Sequence, residues 1–94
     1  MTPRLSQDAI QTAVDKLPGW SLVDKKLSKT FHFFDFREAM TFINKVAERA
    51  ESHQHHPDIH LYYNKVVLEL STHDAGGITE KDIQLAQELD PHYS

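Results

Sequence analysis

The chain has 94 residues, of which 39% are hydrophobic and 26% charged, so we expect one globular domain over residues 1–94 with a small core. Its formal net charge is -4 at pH 7 and its lysines are scattered, which argues against direct nucleic-acid binding. The chain contains no cysteine, so disulfides, thiolate chemistry and cysteine-bound metal sites are excluded.

The start of the sequence looks like neither a secretion signal nor a membrane anchor. Thr2-Pro3-Arg4 leads straight into a helical pattern, and no apolar run is long enough to cross a bilayer. We therefore expect a cytoplasmic protein with no membrane partner.

The first third of the chain predicts a helix followed by a β-hairpin. Ser6 is suited to cap the helix, and apolar residues recur at helical spacing up to Leu17, before a Pro-Gly pair ends it. Two strand-like runs, residues 20–23 and 27–34, are separated by three charged residues and predict the hairpin. Its register does not follow from the pattern.

A second helix is predicted from Asp35 onwards. Asp35 is a favoured N-cap residue, and Glu38 follows with the spacing of a capping box. The apolar residues of this helix form one stripe, which we expect to cover one face of a sheet. That stripe consists of Ala39, Met40, Ile43, Val46, Ala47 and Ala50.

Beyond Pro57, which ends any helix that reaches it, the apolar period changes to two and predicts a second β-hairpin. If Asn64 and Lys65 form a two-residue turn, Tyr63 pairs with Val66 and the rest of the ladder follows. Each strand then has an aliphatic face and a polar face.

The same register makes a prediction about the histidines. It places His56 opposite His73, about 4.5–5.5 Å apart at Cβ, and His60 opposite Glu69. These residues fall on the polar face, so we expect a site on the open side of the sheet. A bulge near Pro57 would redirect either member of the His56–His73 pair.

A third helix is predicted to begin at Thr79, with Asp82 at the third position of a capping box, and to end at Asp90-Pro91. The short connection that leads into it from His73 places backbone N–H groups beside the histidines. The predicted order is α-β-β-α-β-β-α. This order favours an α+β fold in which a four-stranded antiparallel sheet carries its helices on one face.

Five of the seven histidines lie between Glu51 and Asp82. An unperturbed imidazole has a pKa of ~6.5 and serves as acid or base near neutral pH, so the cluster predicts a site. A metal-binding module is an alternative, although no helical His-x-x-x-His pair is present. An oligomeric interaction module without catalysis is another. The clustered histidines are His53, His55, His56, His60 and His73, whereas surface or strand positions are expected for His32 and His92.

Several motifs together resemble the pterin-4a-carbinolamine dehydratase family, and the resemblance covers most of the chain. The motifs are Glu51, His55-His56-Pro57, Tyr63-Asn64-Lys65-Val66, Ser71-Thr72-His73 and residues 77–82, with Gly19-Trp20, Lys29-Thr30-Phe31-His32-Phe33 and Asp35-Phe36 nearer the start. The resemblance implies an antiparallel sheet with helices on one face, in homodimers or homotetramers.

The resemblance also implies an activity. Members of the family are hydro-lyases that act on 4a-hydroxytetrahydrobiopterin, release water and form quinonoid dihydropterin, in support of tetrahydrobiopterin recycling during aromatic amino-acid hydroxylation. No metal, nucleotide or redox cofactor is implied. The expected partners are the pterin substrate and further copies of the chain.

The resemblance assigns the catalytic histidines to His55, His56 and His73. We expect His55 and His73 to transfer protons by acid and base catalysis and His56 to position the pterin. The two expected site carboxylates, Glu51 and Asp82, are suited either to orient imidazoles or to accept hydrogen bonds from the amino-pyrimidine edge of the pterin. The residues expected to bind substrate are Glu51, Asp82, Pro57 and Thr72.

Two positions depart from the family pattern. Ile59 stands where many members have Trp, so no aromatic ring stacks from that position, and Ala75 stands where some animal members have Cys. Animal members also serve as a dimerisation cofactor for a transcription factor. Nothing in the sequence supports extending that role to this chain.

Overall fold

The computed structural model describes residues 2–90 and contains, within that range, three α-helices, four β-strands and a short 3₁₀ helix. The predicted order α-β-β-α-β-β-α and the α+β class are confirmed. In chain order the elements are α1 (Gln7–Asp15), β1 (Ser21–Val23), β2 (Lys26–His32), α2 (Phe36–His53), β3 (Asp58–Tyr62), β4 (Lys65–Leu70), the 3₁₀ helix (His73–Ala75) and α3 (Glu80–Leu89).

The four strands form one antiparallel sheet in the order β1-β2-β4-β3. Pairing of β2 with β4 joins the two hairpins and places Leu27 opposite Leu70 and Phe31 opposite Val66. Burial on β4 alternates with a period of two, because successive side chains of a strand point to opposite faces. Val66, Leu68 and Leu70 are completely buried on one face.

Apolar side chains from all three helices cover that face, so the predicted packing of the helices on one side of the sheet is confirmed. Phe42 was absent from the predicted stripe of α2 but packs against the rings of Phe31 and Phe33, whereas Ala47 is exposed. The buried apolar helix residues are Ile10 of α1, Ala39, Phe42, Val46 and Ala50 of α2, and Ile83, Leu85, Ala86 and Leu89 of α3.

Each helix is preceded by the polar N-cap residue that the sequence predicts. The side-chain oxygens of Ser6 and Asp35 accept backbone N–H bonds of 3.1 and 2.9 Å in the first turns of α1 and α2. Thr79 and Asp82 form the capping box of α3. The three predicted N-caps are therefore confirmed.

The predicted ends of α1 and β2 are wrong. α1 ends at Asp15 and does not reach Leu17, because the N–H of Lys16 already closes back onto carbonyls of the last turn. β2 ends at His32 and does not extend to Phe34, whose side chain is 83% exposed.

The second hairpin turns one residue earlier than predicted. Its turn residues are Tyr63 and Asn64, and Tyr62 pairs with Lys65. Tyr63 adopts a left-handed backbone with φ of +52°, which tyrosine rarely does. Asn64 supports this turn because its Nδ2 donates to Phe33 O at 3.0 Å and its carbonyl accepts from Phe33 N–H at 2.8 Å. The predicted turn at residues 64–65 is therefore wrong.

Every cross-strand partner moves by two residues, which keeps each side chain on its predicted face. The ladder ends with Asp58 opposite Glu69, so the predicted pairing of His56 with His73 is wrong. His60 is not directly opposite Glu69 but reaches it diagonally, with 2.9 Å between Nε2 and Oε1.

A buried ion pair ties β2 to the end of α3. Lys29 Nζ lies 2.6 Å from Asp90 Oδ2 and donates to Pro18 O at 2.9 Å, and the Lys29 and Asp90 side chains are 12% and 2% exposed. Gly19 makes room for the lysine, because a Cβ at that position would lie 2.8 Å from Lys29 Cε and the backbone φ is +85°. Three separate segments are thus held together by one ammonium group.

Replacing Lys29 with methionine should lower the free energy of unfolding by about 1.5–3 kcal/mol, because the buried Asp90 carboxylate loses a charged hydrogen-bond donor. Urea denaturation followed by circular dichroism measures the change. Lys26→Met is the matched control, since Lys26 forms a more exposed pair with Asp58 at 3.0 Å and its loss should leave the urea midpoint near the wild-type value. Equal midpoints for the two variants would contradict the prediction.

Candidate active site

The carboxylate of Asp82 lies in the first turn of α3 and is completely buried. Its Oδ2 accepts hydrogen bonds from Thr79 N–H at 2.9 Å and from the Thr72 hydroxyl at 2.8 Å. Its Oδ1 lies 2.5 Å from His55 Nε2. One carboxylate therefore caps a helix with one oxygen and holds an imidazole with the other.

His55 reaches Asp82 because of the way in which α2 ends. Gln54 adopts a left-handed backbone with φ of +52°, and His55 N–H donates to Ala50 O at 3.1 Å, as in a Schellman-type helix end. Gly is usual at such a position, so the glutamine gave no signal of this turn. His55 contacts Asp82 of α3, a helix whose apolar residues pack in the core that covers one face of the sheet.

His73 is carried by a closed loop between β4 and α3. Thr72 and Gly77 pair across the base of the loop, with Thr72 N–H donating to Gly77 O at 2.8 Å. The 3₁₀ helix inside the loop ends at Gly76, where φ is +72°. The loop exposes the His73 side chain one residue from Thr72, whose hydroxyl contacts Asp82.

His56 and Glu51 form an exposed imidazole–carboxylate pair through Nε2 and Oε2. Glu51 lies in the last turn of α2, and the two side chains are 57% and 70% exposed, respectively. Pro57 is half-buried and lies between His56 and the start of β3. The pair is therefore open to a ligand.

Two further histidines, His53 and His60, contact carboxylates other than Asp82. His53 Nε2 lies 2.5 Å from Glu88 Oε2 and links α2 to α3, whereas His60 binds its partner on the open face of the sheet. His32 is exposed on β2, and His92 lies outside the described residues.

Sequence reasoning missed the contact between Thr72 and Asp82. The two hydroxyl groups that flank the glycine loop, on Thr72 and Thr79, are 2.7 Å apart. A threonine on each side of this loop is the signal that was present in the sequence. The prediction that Asp82 completes the capping box is confirmed, and its contact with His55 is additional.

Within residues 2–90, no group of three or more His, Asp and Glu side chains is arranged to hold a metal ion. In the same part of the chain, no helix combines the length and the apolar character needed to cross a membrane.

The arrangement has the components of proton transfer. A buried carboxylate orients one imidazole, and a second histidine lies exposed on the neighbouring loop. An imidazole that is held in place and has one nitrogen free is suited to general acid or base catalysis.

Comparisons with known proteins agree on one family. A sequence profile described as Pterin 4 alpha carbinolamine dehydratase matches residues 3–92. A Sulfurisphaera tokodaii protein, provisionally named pterin-4-alpha-carbinolamine dehydratase, is 49% identical over 87 residues, which cover 93% of this chain and 94% of that protein. A Picosynechococcus protein with the same name is 49% identical over 90 residues, covering 96% and 98% of the two chains.

A solved structure is also similar. The crystal structure of a Brucella melitensis protein described as a transcriptional coactivator/pterin dehydratase has a TM-score of 0.88 to this chain and is 36% identical in sequence. The match covers 92% of this chain and 94% of that one.

Replacing Asp82 with asparagine should destabilise the protein by about 1–3 kcal/mol, because an NH₂ group replaces one accepting oxygen and leaves a donor without its acceptor. Urea denaturation measures the effect. Asp74→Asn is the matched control, since Asp74 is exposed on the 3₁₀ helix and its change should stay within about 0.5 kcal/mol. An Asp82→Asn variant as stable as this control would contradict the prediction.

Proposed function

The chain belongs to the pterin-4a-carbinolamine dehydratase family, whose members are hydro-lyases, and we propose that it eliminates water from 4a-hydroxytetrahydrobiopterin to give quinonoid dihydropterin. The observation that carries the proposal is the contact of His55 with the buried Asp82, in a chain that the family profile matches over residues 3–92. A second histidine on the neighbouring loop, His73, supplies a further group for acid–base chemistry.

The proposed reaction moves protons and needs no oxidant. The bond between C4a and its hydroxyl oxygen breaks, and the hydroxyl takes up a proton and leaves as water. The neighbouring ring nitrogen gives up its proton, and the released electron pair forms the double bond between that nitrogen and C4a. An acid and a base are both required, and each positioned transfer typically contributes ~10²–10⁴-fold in rate.

We assign the two proton transfers to His55 and His73, and the positioning of the pterin to His56. Burial of Asp82 at 0% exposure favours a role in orienting His55 over direct contact with substrate. The exposed Glu51 either orients His56 or accepts hydrogen bonds from the amino-pyrimidine edge of the pterin.

We further propose that the reaction supports tetrahydrobiopterin recycling in the cytoplasm and that the chain acts as a homodimer or homotetramer. An oligomer is supported by β3, an edge strand of the sheet that, with its turn, exposes three large side chains. These are Ile59, Tyr62 and Tyr63, which are 38%, 57% and 65% exposed.

Dehydration is measured by generating 4a-hydroxytetrahydropterin in situ with an aromatic amino-acid hydroxylase and recording the absorbance of quinonoid dihydropterin. The wild-type chain should accelerate its formation, and His55→Ala and His73→Ala should each slow the reaction by ~10²-fold or more, because each removes a proton-transfer group. His60→Ala is the matched control, since this exposed histidine also has a carboxylate partner, and it should keep the wild-type rate.

Different results would refute the dehydratase activity and the assignment of the proton transfers to His55 and His73. No acceleration by the wild-type chain would refute the dehydratase activity. Acceleration with near-wild-type rates for both histidine variants would refute the assignment of the proton transfers.

Sedimentation velocity tests the oligomer. We expect a species of two or four times the chain mass of 10.8 kDa, because the edge of β3 and its exposed side chains favour self-association. A single species of the chain mass at every protein concentration would contradict this prediction.

A further inference from the structure

The hydroxyl of Thr72 links the two histidines to which we assign proton transfer. It belongs to the residue before His73, and it donates to the Asp82 carboxylate that holds His55. We propose that Thr72 is a positioning residue that acts through Asp82 to hold His55 with its hydrogen on Nε2, which makes Nδ1 the nitrogen that takes the proton of the substrate. The role of Nδ1 as acceptor of the substrate's proton rests on the proposed dehydration. The presence of the imidazole hydrogen on Nε2 of His55 does not.

Counting hydrogens gives the direction of the hydrogen bonds that lead to Asp82. The Thr72 hydroxyl has one hydrogen and donates it to Asp82 Oδ2 at 2.8 Å. Thr79 Oγ1, 2.7 Å away, must then donate to Thr72 Oγ1, and it accepts in turn from Lys81 N–H at 3.2 Å. The donors all point the same way along a chain that ends at Asp82, and aligned bonds of this kind strengthen one another.

The contact with the Asp82 carboxylate determines the tautomer of His55. Oδ2 accepts from the Thr72 hydroxyl and from Thr79 N–H. A carboxylate has no hydrogen to donate, so the 2.5 Å contact between Oδ1 and His55 Nε2 requires a hydrogen on the imidazole. In the neutral ring, Nδ1 then carries the lone pair. The His55 side chain is 12% exposed and Asp82 is enclosed, so the contact is shielded from water.

The polar atoms of Thr72 are occupied within the protein, which favours a positioning role over the substrate contact predicted from the sequence. Its N–H donates to Gly77 O at 2.8 Å, and its carbonyl accepts from Ala75 N–H at 3.1 Å. The loop thus fixes the direction of the hydroxyl, which donates its hydrogen to Asp82 and accepts one from Thr79.

The experiment compares Thr72→Val, which removes the hydroxyl at nearly constant volume, with Thr72→Ser, which keeps it. Thr30→Val is the matched control, because Thr30 is exposed on β2. Two quantities are measured for each variant. They are the ¹⁵N chemical shifts of the imidazole nitrogens in protein labelled with ¹⁵N-histidine, and kcat and KM for the dehydration.

In the wild type at about pH 8, where an ordinary imidazole is neutral, His55 should show a protonated Nε2 and an unprotonated Nδ1. Thr72→Val should mix the two tautomers and lower kcat by roughly tenfold or more, with little change in KM, because Asp82 loses a donor that holds it in place. Thr72→Ser and Thr30→Val should preserve both the shifts and kcat.

A wild-type His55 that is protonated on Nδ1 overturns the inference whatever the activity, and this measurement also decides the tautomer if Thr72→Val does not fold. A Thr72→Val variant with a higher KM at unchanged kcat, as expected of a substrate contact, also overturns the inference. So does a Thr72→Val variant with wild-type chemical shifts and a wild-type rate. If the wild-type chain lacks dehydratase activity but shows the Nε2 tautomer, and Thr72→Val loses it, the proposed function fails while the positioning by Thr72 stands.

Discussion

The hydrogen bonds of the buried Asp82 carboxylate are the interactions on which the described structure most depends. Removing a carboxylate from water costs several kcal/mol unless hydrogen bonds and nearby charge offset the loss. The N-terminus of α3 provides the N–H of its N-cap residue Thr79 and the positive end of the helix dipole, while Thr72 and His55 provide two more partners. Since the group that caps the helix also holds the imidazole, formation of α3 and assembly of the site are coupled.

Buried carboxylates hold α3 at both ends, where the helix dipole acts with opposite sign. Asp82 lies at the N-terminus, where the dipole favours negative charge, and Asp90 lies at the C-terminus, where it does not. Lys29, 2.6 Å from Asp90, offsets the unfavourable end. Between them, Leu85 and Ala86 pack in the core. Because apolar contacts have little directionality, these polar anchors fix the position of the helix along its own axis.

The parts of the structure that the sequence predicts are those decided by neighbouring residues. The caps at Ser6 and Asp35 bind N–H groups three positions away, and a two-residue error in register leaves every strand face unchanged. The register itself depends on Asn64, which binds a carbonyl 31 positions away, and the site depends on the contact of His55 with Asp82 across 27 positions. The spacing within one segment carries no information about such partners.

The histidine–carboxylate pairs in residues 2–90 differ in burial, and this difference separates their roles. The His55 and Asp82 side chains are 12% and 0% exposed, whereas those of His56 and Glu51 are 57% and 70% exposed. An exposed pair contributes little free energy, so a ligand can turn His56 at low cost, but turning His55 would strip a buried carboxylate of a donor. A proton acceptor benefits from being held in place before the substrate arrives, and a binding residue benefits from adjusting to it. The burial of the two pairs therefore supports the proposed assignment of proton transfer to His55 and of pterin positioning to His56.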